Sequence, residues 1–318
     1  MRIQYIVIHD TESSFDSTVS EFQDPLSYVS AHYVIRSSDG AVTQLVPTSD
    51  VAWHAGNWWM NMHSIGIEHE GVAVQGSRYY TEEMYRSSAE LVRYLAARYH
   101  IPLDRQHILG HDNVVGPAPA YVAGMHWNPG PYWDWNHYLE LLRAPRDPVV
   151  AGGAVATIAP DFRANRPPVT DCSSGTCVTM PPQGTNFVYL RKRPSASAPL
   201  LSDATVHPDG SSATTEASDL SDKAVAGQQF IRFGRRGDWT GIWFGGQVGW
   251  FYDPPSARVD RTGCGRAVTP RPPFQVVVGC SVWRRRMLGA MADAALPSAT
   301  RLRVGPIDRV LSRSARCV

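Results

Sequence analysis

The stretch RIQYIVIHDTE, residues 2–12, decides the fold. Its first seven residues alternate and are rich in β-branched side chains, which predicts a strand that ends by presenting His9. Working outward, HYVIRSSDGAVTQLVP at 32–47 reads as a hairpin turning at Ser38-Asp39-Gly40. SIGIEHE at 64–70 reads as a third strand. Thr81 can cap a helix with Glu82 and Glu83 in its first turn and an apolar stripe of Met84, Leu91, Val92, Leu95 and Tyr99, closed by Pro102. A short strand at 107–109 and a terminal helix at about 134–142 complete an α/β unit, a mixed central sheet flanked by helices.

Beyond this unit the composition changes. Residues 145–185 are rich in Pro, Ala, Gly, Thr and Ser without periodicity, and are expected to be a linker. FVYLRKRP at 187–194 and QQFIRFGRRGDWTGIWFGGQVGWFY at 228–252 alternate aromatic and polar residues around Gly turns, as in a small all-β barrel. The expected division is therefore 1–144, 145–185, 186–257, and a basic tail at 258–318 that reads either as out-of-frame sequence or as a short helix at 283–295 with a disordered end.

The formal net charge of +1 conceals an asymmetry. Residues 1–150 hold nine Arg, no Lys and 17 Asp or Glu, whereas residues 258–318 hold 12 Arg against three Asp. Ten of the eleven His lie between His9 and His137, so any imidazole chemistry belongs to the first unit. All five Cys lie after residue 170; Cys172 with Cys177 and Cys264 with Cys280 could pair, leaving Cys317, or the thiols could be free. No apolar run has the length of a membrane span, the start lacks the pattern of a secretory signal, and no motif points to nucleic acid.

A catalytic zinc site takes three protein ligands and keeps one position for water. The candidates are His9 at a strand end, His111 after Gly110, and residue 128 in the turn before Pro129-Gly130-Pro131. Six motifs then align in order: VIHDTE (7–12), SAHYVIRSSDGAVTQLVP (30–47), VAWHAG (51–56), NMHSIGIEHEG (61–71), ILGHDNV (108–114) and HWNPGPYWDW (126–135). Over about residues 3–142 the chain resembles the zinc-dependent N-acetylmuramoyl-L-alanine amidases, the superfamily of the phage lysozyme-type amidases and the peptidoglycan recognition proteins.

The resemblance implies hydrolysis of the amide between the lactyl group of N-acetylmuramic acid and L-alanine in peptidoglycan. It implies Zn2+ as cofactor, with His9 and His111 as ligands and Asn128 at the third ligand position, which the family fills with Asp or Cys. Glu68 matches the glutamate that orients or deprotonates the attacking water, with Glu70 as fallback. His126 matches a position that stabilises the oxyanion. His32 and His54 match substrate-groove positions, with structural hydrogen bonding as the alternative reading.

Asn is a neutral and weaker donor than Asp. The alternative function is accordingly a peptidoglycan-binding protein with impaired catalysis, unless Asp112 or His126 supplies a replacement ligand. The later strands resemble bacterial SH3-like wall-binding modules, with Trp239, Trp243 and Trp250 either binding wall polymers or filling a core. The expected protein is monomeric, secreted or wall-associated, and without nucleic-acid partners.

Overall fold

A computed structural model describes residues 2–144, 154–255 and 260–261. These residues belong to one compact unit, Met1–Gly265. Apart from residues 260–261, the expectations for the basic tail, and those for Cys264, Cys280 and Cys317, fall outside the described residues.

The first sheet has the order β3-β2-β4-β1-β5. Its strands are β1 (Tyr5–Asp10), β2 (Tyr33–Ile35), β3 (Val42–Gln44), β4 (Ser64–His69) and β5 (Ile108–Gly110). It is mixed: β1 runs parallel to β4 and β5, β2 runs parallel to β4, and β2 and β3 form the expected antiparallel hairpin. Among the described residues six α-helices accompany it: α1 (Phe15–Gln23), α2 (Trp58–His63), α3 (Gly76–Tyr79), α4 (Glu82–Tyr99), α5 (Pro119–Val122) and α6 (Trp135–Leu141). Thr81 Oγ1 caps α4 by accepting from the Met84 amide, and Asp134 Oδ1 caps α6 by accepting from the His137 amide.

Side-chain alternation gives the sheet's two faces different surroundings. Ile6, Ile8, Ile65 and Ile67 point to one side and pack with Met84, Tyr85, Val92 and Leu95 of α4 and with Trp133, Trp135 and Tyr138. Burial of each such side chain contributes about 1.5–3 kcal/mol. Val7 lies on the other side with Ala55 and Val114, and His9 and Glu68 share its alternation. β1 and β4 are thus buried on both faces.

The later residues depart from the expected division. The segment expected as a linker holds β6 (Val155–Ile158), β7 (Thr170–Asp171) and β8 (Val178–Thr179), and its Cys172 and Cys177 form a disulfide. The remaining strands are β9 (Phe187–Tyr189), β10 (Lys223–Val225), β11 (Gln229–Arg236), β12 (Trp239–Phe244), β13 (Gln247–Tyr252) and β14 (Asp260–Arg261). They build a second sheet, β13-β12-β11-β6-β14, and a β9–β10 ribbon. β6 is therefore a central strand, held by antiparallel pairing to β11 and β14. Its side chains Ala156 and Ile158 join Val188, Leu190, Leu201, Ile242 and Phe251 in a core.

The hairpin turn supplies a test. Gly40 has φ +68, and a Cβ there would meet Ser87 Oγ and lie 2.6 Å from the Glu83 carbonyl oxygen, which is α4 backbone. Gly40→Ala is expected to destabilise the protein by about 1–3 kcal/mol in urea unfolding, from backbone strain and overpacking. An unchanged midpoint would contradict this packing of hairpin on helix.

Candidate active site

The parallel register of β1 and β4 sets His9 beside Glu68. Glu68 Oε1 lies 3.9 Å from His9 Nδ1. Glu68 Oε2 is buried with no hydrogen-bond partner, and burial, reinforced by Asp10, pushes its carboxyl well above the usual range. Glu70 serves the scaffold instead, since its two oxygens accept from the amides of Phe15 and Ser37, tying α1 and the hairpin to the end of β4.

A directional chain of hydrogen bonds orients His9. The Ser64 hydroxyl donates to the Met60 carbonyl at 2.6 Å, so its oxygen is left to accept from His54 Nε2 at 3.2 Å. Burial holds His54 well below its ordinary pKa and therefore neutral, so Nδ1 of that ring is an acceptor for His9 Nε2–H at 2.9 Å. His9, also held neutral by burial and by its histidine neighbours, is left with its lone pair on Nδ1. That atom faces His111 Nδ1 at 3.0 Å.

His111 follows β5 in a 3-10 turn, His111–Asn113. Burial, then the neighbouring His126, lower its pKa to about 4. Asn128 is buried, and its Nδ2 donates to the Asp10 carbonyl at 3.0 Å. Its Oδ1 and His111 Nε2 are buried and make no hydrogen bond. The Asn128 carbonyl accepts from the Asp112 amide at 3.0 Å, which joins the two loops. The Asn128–Pro129 peptide is cis.

The expected site residues thus separate into those that gather and those that do not. His9, Glu68, His111 and Asn128 come together, and exposed His126 stands at the rim with its ring centroid 5.1 Å from that of His111. Of the two readings open for His32 and His54, their burial and ring partners favour structural hydrogen bonding. His32 accepts from the Gly66 amide through Nδ1 and faces the Asp50 carbonyl through Nε2, so both ring nitrogens serve the backbone. His54 stands behind His9. Asp112 lines a small void with Trp127, Gly130 and Asn186, and burial pushes its pKa to about 7 against the opposing charge of Arg105.

Among the described residues no three His, Cys, Asp or Glu side chains form a metal-binding group. The available donors are two imidazoles and the amide oxygen of Asn128, which match zinc in atom type and in their shared burial but carry no charge.

Gly66 gives this site a structural signature. A Cβ there would lie 2.6 Å from His54 Nδ1. Gly66→Ala should displace that ring, cost about 1–3 kcal/mol in urea unfolding, and abolish the Nε2–H signature of His9 in imidazole 15N spectra. A retained signature with unaltered stability would contradict the hydrogen-bond chain.

Comparison with known proteins places the chain in a family. A family model described as N-acetylmuramoyl-L-alanine amidase matches residues 1–131. N-acetylmuramoyl-L-alanine amidase A of Achromobacter lyticus is 33% identical over 153 residues, covering 43% of this chain and 81% of that protein. The 1,6-anhydro-N-acetylmuramyl-L-alanine amidase AmpD of Salmonella typhimurium is 38% identical over 120 residues, covering 36% of this chain and 57% of its own length. Among solved structures, the amidase AmiD of E. coli in complex with the substrate anhydro-N-acetylmuramic acid-L-Ala-D-gamma-Glu-L-Lys is 27% identical, with a TM-score of 0.38, covering 55% of this chain and 68% of that one. The chain belongs to the N-acetylmuramoyl-L-alanine amidase family.

Proposed function

We propose that the chain hydrolyses the amide between the lactyl group of N-acetylmuramic acid and L-alanine of the peptidoglycan stem peptide, with zinc held by His9, His111 and Asn128. The observation that carries this reading is the approach of His9 Nδ1 to His111 Nδ1 at 3.0 Å, with Glu68 adjoining and the buried Asn128 oxygen unpaired. When bound, zinc supplies Lewis acidity, which makes water more acidic and polarises a carbonyl.

The chain's own residues supply the rest. Glu68 accepts the proton of the attacking water as the carbon–oxygen bond forms, then passes it to the departing amine as the carbon–nitrogen bond breaks. Its burial raises its proton affinity, which suits a base. His126 at the rim faces the negative charge that develops on the carbonyl oxygen and can donate a hydrogen bond to it. His54 and Ser64 keep the His9 lone pair aimed inwards.

Substituting Asn for a carboxylate weakens the metal without removing the donor. The relatives are hydrolases, so a protein that only binds the wall is not the favoured reading. We also infer an SH3-like, wall-binding role for the later strands. Trp243 is 48% exposed and packs against exposed Phe233, whereas Trp250, at 5%, fills space between strands. A secreted or wall-associated monomer accords with this role; no helix among the described residues is long and apolar enough to cross a membrane.

Digestion of purified peptidoglycan tests the reading. With zinc supplied, new L-alanine amino termini are expected, and Glu68→Gln should remove them. Asn128→Asp should bind zinc at least about tenfold more tightly, since a full charge at a ligand position outweighs the lost hydrogen bond to Asp10. Absence of new termini from both the unaltered chain and Asn128→Asp would overturn the proposal.

A further inference from the structure

Asn186, which lies outside the amidase-like region, hydrogen-bonds to the turn that carries Asn128. This side chain is buried just before β9. Its Nδ2 donates to the carbonyls of Gly130 at 2.9 Å and Trp133 at 2.8 Å. Its backbone amide donates to the Pro131 carbonyl at 2.9 Å. Two of these hydrogen bonds fasten the Pro-Gly-Pro turn, in which the two prolines have no amide of their own to anchor it, and the third holds the chain just after it.

The same residue reaches the His111 loop by a second route. The Asn186 carbonyl accepts from the Ala226 amide at 2.6 Å, and the Ala226 carbonyl accepts from Arg105 Nε at 3.2 Å. Arg105 is buried and lies 3.7 Å from the Trp135 ring centre. It also donates to the Ile108 carbonyl and to Asn113 Oδ1, each at 2.7 Å, on either side of His111. Gly227, at φ +83, lets this approach occur, because a Cβ there would strike Arg105 Cγ. The Asp112 amide closes the ring by donating to the Asn128 carbonyl. Both loops that bear His111 and Asn128 therefore end on the pair Asn186 and Ala226.

We infer that Asn186 is a positioning residue for the active site, so that the later strands support the amidase chemistry directly as well as carrying any wall contact. The inference rests on the reading of His111 and Asn128 as zinc ligands. An amide oxygen is a weak donor, and a weak donor gains most from being held in place, because less ordering is left to the moment of binding.

The test uses the full chain with Asn186→Ala, and Asn186→Ser as a milder change should the first fail to fold. Thr240→Val is the control, since it removes a buried hydrogen bond to Asp253 within the later strands and does not touch the turn. Two quantities are read: zinc affinity by competition with a chelator, and hydrogen exchange of the Asp112 amide in metal-free protein. At matched loss of urea stability, Asn186→Ala should weaken zinc by about 10- to 100-fold and speed Asp112 exchange at least about tenfold, with Thr240→Val doing neither. Equal exchange and equal zinc affinity in the two variants would overturn the inference. If the unaltered chain binds no zinc, the zinc reading fails by itself, and the exchange measurement alone decides whether Asn186 holds the turn.

Discussion

The parallel pairing of β1 with β4, in the register that sets His9 against Glu68, is the constraint on which both the core and the site depend. Because strand side chains alternate, this register sends Ile6, Ile8, Ile65 and Ile67 to the α4 side and His9 and Glu68 to the other. A slip of one residue would exchange the two sets, taking the isoleucines out of the α4 core and putting polar side chains into it. The hydrophobic core therefore specifies the geometry of the chemistry, and Gly66 between Ile65 and Ile67 leaves the space into which His54 packs.

On that frame the site is built from neutral groups. Burial keeps His9, His54 and His111 uncharged, so each ring carries one proton whose position is set by its neighbours. The backbone carbonyl of Met60 starts the sequence and the His9 lone pair ends it. Asn128 extends the pattern: its amide hydrogens serve the Asp10 carbonyl, which turns its oxygen away from that carbonyl. A carboxylate in its place would present oxygen to oxygen there. The local surroundings thus accommodate an amide, even though an amide offers a cation less than an acid does.

The sequence disclosed the parts that follow a period. Residues 2–8, the hairpin and SIGIEHE were legible as strands, and Thr81 with its acidic first turn marked α4. α1 was not seen: FDSTVSEFQ spaces Phe15, Val19 and Phe22 along one helical face, but the stripe is short and those side chains are only half-buried. Residues 154–185 looked like a linker because side-chain and disulfide bonds hold much of the segment without periodicity; Asn165, for example, donates to Thr185 and Phe187. His32 and His54 are indistinguishable in sequence from surface histidines, and only their ring partners reveal a backbone role for one and an orienting role for the other. Asn186 carries no sequence signal, since its function lies in contacts with a turn distant along the chain.

Zinc-edge anomalous diffraction from crystals grown with zinc tests the central claim most directly. The account predicts one peak shared by His9 Nδ1, His111 and the Asn128 oxygen, beside Glu68. A peak that leaves out Asn128 or lies away from the two histidines, or no peak at all, would contradict it.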